Sequence, residues 1–302
     1  MSEQRCGYIA ILGAPNAGKS TLLNKLVGQK VSIVSPKVQT TRTRITAIAV
    51  EGDAQLVFVD TPGIFRTAKR RLERAMLDAA WAGAKDGDVI LLLVDAERGY
   101  DDETRAIIAA LKKEGKKRPV ALALNKIDLI KRELLLGLSA QINADFDFAT
   151  TFMISAHKGS GCADVRSWLA KQLPVAPWLY PEDQLADISE RLLAAEVTRE
   201  KVFLRLHDEL PYASTVETEA WQDKKDGSVR IEQTIYVQRE SQKPIVLGKG
   251  GATIKKIGEL ARTELEQMFE RRVHLFLFVK VREAWQDDPE RYEAMGLEFP
   301  KG

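Results

Sequence analysis

Gly13-Ala14-Pro15-Asn16-Ala17-Gly18-Lys19-Ser20 decides the reading of the first half of this chain. It fits the spacing GxxxxGK[ST], and it stands between an apolar run, Tyr8–Leu12, and a helical pattern, Lys19–Val27. A strand that passes through a tight glycine loop into a helix aims several backbone N–H groups and the positive end of the helix dipole at one point. Such a point holds nucleotide phosphates. Lys19 is placed to reach the β- and γ-phosphates, and the Ser20 hydroxyl to bind Mg²⁺. Gly13, Asn16, Ala17, Gly18, Lys19, Ser20 and Thr21 form the expected nucleotide-binding loop.

Outward from this loop, further apolar runs alternate with helical patterns. Leu56–Val59, Val89–Val94, Val120–Leu124 and Phe152–Ile154 read as strands, and Glu103–Lys113 and Ala163–Leu173 as helices. That alternation predicts an α/β layer with a mostly parallel sheet and helices on both faces. Short motifs follow the strands. Asp60-Thr61-Pro62-Gly63 follows Leu56–Val59. Asp60 is expected to hold Mg²⁺ through its water shell, and the Gly63 N–H to meet the γ-phosphate. Asn125-Lys126-Ile127-Asp128 follows Val120–Leu124. A carboxylate at Asp128 accepts two hydrogens from guanine, a pair that adenine does not offer, so it selects GTP over ATP. The Lys126 stem packs over the purine, and Ser155-Ala156 after the next strand supports the base. Lys30–Arg44 is the expected switch segment, ordered by γ-phosphate and Mg²⁺. Within Gln39-Thr40-Thr41-Arg42, Thr41 is the expected Mg²⁺ ligand and Thr40 the alternative. Metal binding thus falls to Ser20, Thr41 and Asp60.

Composition sets the outer limits. The 302 residues suggest about two domains. A net charge of +2 excludes a wholly basic protein, so contact with nucleic acid must come from local patches. The two cysteines, Cys6 and Cys162, and the three scattered histidines lack metal-site spacing. The N-terminus carries no apolar signal stretch, and the apolar runs are too short to span a bilayer, so a cytoplasmic protein is expected.

Leu173–Pro181 holds three prolines and reads as an extended linker. Beyond it come a helix over Ile188–Leu206 and strands at Ala213–Trp221 and Val229–Gln238. Asp226-Gly227 marks a hairpin between those strands. An apolar run then leads into Gly248-Lys249-Gly250-Gly251, a helix near Thr253–Phe269 and a strand at Val273–Val281. A GxxG loop before a helix, in this element order, is the pattern of prokaryotic KH domains, whose loop clamps about four nucleotides of a single strand. Residues 245–282 carry a net +4, more than the whole chain. Gly248, Lys249, Gly250, Gly251, Lys255 and Lys256 are the expected RNA contacts.

Taken in order, GAPNAGKS, QTTR, DTPG, NKID and SA resemble the translation-factor-related GTPases and, within them, the Era family. The likeness continues through Ser189–Lys201, Glu209-Leu210-Pro211-Tyr212, Val279-Lys280-Val281 and Trp285, and so covers nearly the whole chain. It implies an α/β P-loop GTPase domain over 1–174, a linker over 175–184, and an α+β type II KH domain with a C-terminal tail over 185–302. The implied function is a GTP-hydrolysing switch that binds the 3′ end of 16S ribosomal RNA and assists maturation of the 30S subunit. The resemblance also implies a potassium ion at Asn16, in the role an arginine finger plays elsewhere. Lys19, Thr41, Gly63 and Asn16 are then the residues that act on the reaction. Ile64 stands where Ras-like enzymes place a water-orienting glutamine, so another group must do that work. Ala14 and Phe65 depart from residues common in the family. The expected protein acts as a monomer with Mg²⁺ and GTP or GDP, and peripheral contact with the inner membrane is left open.

Overall fold

The computed structural model describes residues 3–37, 40–42, 45–60, 63–64, 71–115, 118–283 and 285–300. Gln39, Thr61, Pro62 and Phe65 lie outside these residues. The chain divides into two compact units, 1–187 with 292–302, and 188–291.

In the first unit, β1 (Arg5–Leu12), β2 (Ile45–Glu51), β3 (Ala54–Asp60), β4 (Val89–Asp95), β5 (Val120–Asn125), β6 (Thr150–Met153) and β7 (Ala186–Asp187) form one sheet. Its order is β6-β5-β4-β1-β3-β2-β7. The strands pair in parallel except where β2 meets β3 and β7. Alternation along each strand serves both faces, because successive side chains point opposite ways. Ile9 and Ile11 join a core with Leu22, Leu23 and Leu26 of α1 (Lys19–Val27) and Val165 and Leu169 of α5 (Cys162–Gln172). Ala10 and Leu12 join another with α2 (Arg71–Asp86), α3 (Asp102–Glu114) and α4 (Arg132–Asp145). Each such Val, Leu or Ile side chain taken from water contributes about 1.5–3 kcal/mol, and strands buried on both faces read as unbroken apolar runs. Cys6 and Cys162 are buried free thiols, and burial raises the pKa of both.

The boundary between the units falls later than the prolines suggest. The 175–184 segment is bonded to the first unit. Buried Gln55 on β3 accepts the N–H groups of Leu179 and Tyr180 at 2.9 and 3.0 Å and donates to the Tyr180 carbonyl at 2.7 Å. The Ile48 N–H donates to the Leu185 carbonyl at 2.8 Å, and β7 then pairs with β2 at Thr46 and Ala47. A segment that fills the hydrogen bonds of a sheet rim is part of that sheet. Residues 292–302, expected as a tail of the second domain, also group with the first unit.

In the second unit, β8 (Thr215–Asp223), β9 (Val229–Val237) and β10 (Val273–Val281) form a sheet in the order β10-β9-β8. β8 is antiparallel to β9, with an irregularity between Thr218 and Ala220, and β10 is parallel to β9. α6 (Glu190–Arg205) and α8 (Ala252–Phe269) cover one face. The apolar run before the GxxG loop lies in a short helix, α7 (Lys243–Leu247). Pro244 stands in its first turn, where a missing N–H costs nothing. α9 (Pro289–Ala294) follows β10.

Candidate nucleotide and RNA sites

The 13–18 loop leaves β1 between β3 and β4, its neighbours in the sheet. Gly18 has φ 96° and ψ 24°, and a Cβ there would fall 2.4 Å from Asn125 Nδ2. Only glycine meets both conditions. The Lys19 ammonium lies inside its own loop, donating to the carbonyls of Gly13 and Ala14, each at 3.1 Å. Asn16 has φ 63°, and its amide donates to the Pro36 carbonyl at 2.9 Å, joining the loop to the switch segment. Thr21 stands in the first turn of α1 and lines, with Asn16, Lys19, Ser20, Thr41 and Gly63, a cleft of about 400 Å³.

Ser20 Oγ lies 2.9 Å from Thr41 Oγ1. Two ligands on adjacent corners of a Mg²⁺ octahedron, each about 2.0–2.1 Å from the ion, stand about 2.9 Å apart. The two hydroxyls are hydrogen-bonded to each other, and they are the pair that would hold a cation between the phosphate loop and the switch segment. Thr40 is turned elsewhere, bonded to the Lys37 carbonyl at 2.7 Å and to Ser35 Oγ at 2.6 Å. Asp60 closes β3 beside Ile11 and Ile45, and its side chain lies outside the described residues. Gly63 reaches the site because the Ile64 N–H donates to the Gly13 carbonyl at 3.1 Å. Ile64 itself is buried in the core.

Asn125 ties two loops together in this arrangement. Its amide donates to the Ala17 carbonyl at 2.8 Å, and its carbonyl accepts the Ala156 N–H at 2.9 Å. Lys126, at φ 64°, is held by an ion pair with buried Asp95 at 2.6 Å. The Ser155 hydroxyl bonds the Asp128 carboxylate. That bond outweighs the opposing effect of burial and, with the Asp128 N–H, Lys158 and His157, holds this carboxyl below its usual range. Asp128 is thus an ionised acceptor beside the loop that carries Ala156.

Two contributors escaped the sequence reading. Asp95 positions Lys126, and Arg98 donates to the Pro15 carbonyl at 3.2 Å while paired with Glu103 at 2.8 Å. Asp95 ends β4 and Arg98 lies just beyond it, at the C-terminal end of the strand, where ligands of parallel sheets collect. That placement was the available signal.

In the second unit, Gly248, Gly250 and Gly251 all have positive φ, at 74°, 60° and 80°. A Cβ at Gly250 or Gly251 would meet nothing within 4 Å. The loop is thus an open crest of backbone. Lys249 lies within it, and Lys255 and Lys256 are exposed on the first turns of α8. Lys256 is paired with Glu259 at 3.0 Å. Beside the loop runs a groove of about 510 Å³ between α8 and β10, lined by Ile254, Lys255, Gly258, Arg262, Leu275 and Leu277. Gly258 keeps it deep, since a Cβ there would press on Leu277 at 3.3 Å. Its apolar floor and a rim on which Lys255 and Arg262 outnumber Glu259 suit an unpaired strand.

Loop, base-reading motif and GxxG crest together define a P-loop GTPase joined to a KH domain. Residues 8–126 match the family described as 50S ribosome-binding GTPase, and residues 209–286 match the KH domain. The chain is 60% identical to the GTPase Era of Mesorhizobium japonicum over 97% of its length and 94% of that protein's. It is 61% identical to that of Rhizobium meliloti over 98% and 94%. The chain belongs to the Era family of GTPases.

Solved structures agree. A variant of Aquifex aeolicus Era bound to GDP·AlF4⁻ superposes with a TM-score of 0.91 at 37% identity, covering 97% of this chain and 99% of that one. Era in complex with MgGDPNP and nucleotides 1506–1542 of 16S ribosomal RNA does so at 0.91 and 38%, with the same coverage. Among the described residues, no helix is long and apolar enough to cross a membrane.

Proposed function

We propose that one copy of this chain hydrolyses GTP as a timer on the 3′ end of 16S ribosomal RNA, assisting maturation of the 30S subunit. The observation that carries the reading is the 2.9 Å approach of Ser20 to Thr41. It joins the phosphate loop to the switch segment at the point where γ-phosphate and metal are sensed. Mg²⁺ held by Ser20, Thr41 and Asp60 supplies charge neutralisation at the β- and γ-phosphates. Lys19 leaves its two loop carbonyls for the phosphate oxygens. The Gly63 N–H donates to the γ-phosphate, and Asp128 reads guanine while Lys126 packs on its face. A potassium ion at Asn16 fits the absence of a glutamine at Ile64. Gly248–Gly251, Lys249, Lys255 and Lys256 hold the RNA backbone, and the α8–β10 groove takes its bases.

Coupling requires that GTP favour the RNA-competent state more than GDP does. The test is the affinity for an oligoribonucleotide from the 3′ end of 16S rRNA, measured with a GTP analogue and with GDP. Tighter binding with the analogue is expected, and equal affinities defeat the switch. Equal hydrolysis rates in K⁺ and Na⁺ would remove potassium from the mechanism.

A further inference from the structure

β10 presents different residues to its two sides. Leu275 and Leu277 form part of the groove beside α8. The alternate residues project from the other face of the sheet, where His274, Phe276, Phe278 and Lys280 stand in a row. Phe276 is 42% and Phe278 48% exposed. The Arg230 guanidinium on β9 lies over the Phe276 ring, 4.4 Å from its centroid. Thr234 and Tyr236, in register with Phe278 and Lys280, are buried, and Arg282 and Arg291 lie over the Tyr236 ring. Two large rings left half in water beside covered neighbours serve no core.

We infer that Phe276 and Phe278 are a stacking platform for bases of a single RNA strand that leaves the groove and crosses the free edge of β10. The inference rests on the groove being an RNA site. Three observations carry it. Stacking faces bordered by cations are what an unpaired strand binds without sequence preference. Lys280 supplies net positive charge, and Arg230 cancels the neighbouring Glu232, paired with it at 2.6 Å. Alternate residues of a strand are about 6.6 Å apart, about twice the ~3.4 Å rise of stacked bases. The pair therefore suits splayed bases rather than a helix. Finally, β10 is an edge strand, paired only with β9 among the described residues, so no further strand separates the groove from the rings.

The full chain is titrated with nested oligoribonucleotides, about four to twelve residues long, from the 3′ end of 16S rRNA. Affinity is expected to rise first as the groove fills and again with length. The double variant Phe276→Ser/Phe278→Ser should lose about tenfold in the second rise and nothing in the first. Phe276→Leu/Phe278→Leu, which keeps apolar area without a π-face, should lose it too. An unchanged second rise in both variants overturns the inference. So does a rise that leucine preserves, or self-association of the chain that serine abolishes, because the face then docks protein. A first rise that is itself missing defeats the groove reading, and the platform falls with it.

Discussion

Asn125 stands so close to Gly18 that the amide of one occupies the space a Cβ of the other would need, at 2.4 Å. The base-reading strand and the phosphate loop are therefore fitted to each other through one side chain. Asn125→Ala strands the buried Ala17 carbonyl and Ala156 N–H. We expect a loss of about 2–4 kcal/mol in unfolding free energy and weaker GTP and GDP binding together, read by denaturant melts and nucleotide titration. Gly18→Ala should abolish nucleotide binding.

The contact with Ser20 separates the two threonines. Thr41→Ala should weaken Mg²⁺-dependent GTP hydrolysis on the order of 10–100-fold while GDP affinity stays within about twofold. Thr40→Ala, which removes the bonds to Ser35 and Lys37, should change the rate far less. Single-turnover hydrolysis across a Mg²⁺ series makes the comparison, and equal losses would remove Thr41 as the ligand.

Asp128 is held ionised below the usual carboxylate range. Its acceptor charge is present at neutral pH and persists as pH falls, until the lowered folded pKa is reached. Guanine preference over adenine should accordingly be flat from pH 8 to about 5. Asp128→Asn should exchange that preference for xanthine, and competition assays with GTP, ATP and XTP report it.

Lys201 lies buried between Glu200 and Glu264, with its ammonium bonded to both. Burial lowers its pKa, but the two carboxylates together outweigh this, and the net shift is upward. A raised cationic pKa contributes stability that is complete below the unfolded value of about 10.4 and is lost as pH climbs through the folded one. Lys201→Met removes the ammonium that bonds both carboxylates; it should cost about 3 kcal/mol at neutral pH, and should flatten the alkaline decline of the melting temperature.

Gly250→Asp places a left-handed residue and a negative charge on the exposed GxxG crest. The backbone conformation costs roughly 1–2 kcal/mol, with open space around it. RNA affinity should fall at least about tenfold while GTP hydrolysis without RNA is unchanged. Filter binding and phosphate release measure the two, and retained affinity would mean the loop is not the clamp.

The phosphate loop, the four central strands and the GxxG loop were legible because each rests on a local backbone demand. Apolar runs buried on both faces need no partner to be recognised, and glycines at fixed offsets announce their turns. β2 was not read, since Ile45–Glu51 emerges from a polar segment and its alternation is imperfect. α4 was not read either: Leu134 and Leu136 face water at 62% and 70% exposure and blur its apolar stripe. The prolines before Asp187 signalled a linker, but nothing local reveals that Gln55 is wholly buried and receives that segment. The roles of Asp95 and Arg98 likewise depend on loops brought together across the sheet.

Docking of residues 175–187 has a practical corollary for anyone dissecting the molecule. A fragment ended at Pro174 would strip Gln55 of its three backbone partners and leave β2 as a bare rim with unclaimed amides, an invitation to sticky self-pairing. Extending the fragment to Asp187 keeps that border sealed. Misbehaviour of a shorter piece would then speak of a torn margin, not of a nucleotide pocket unable to stand alone.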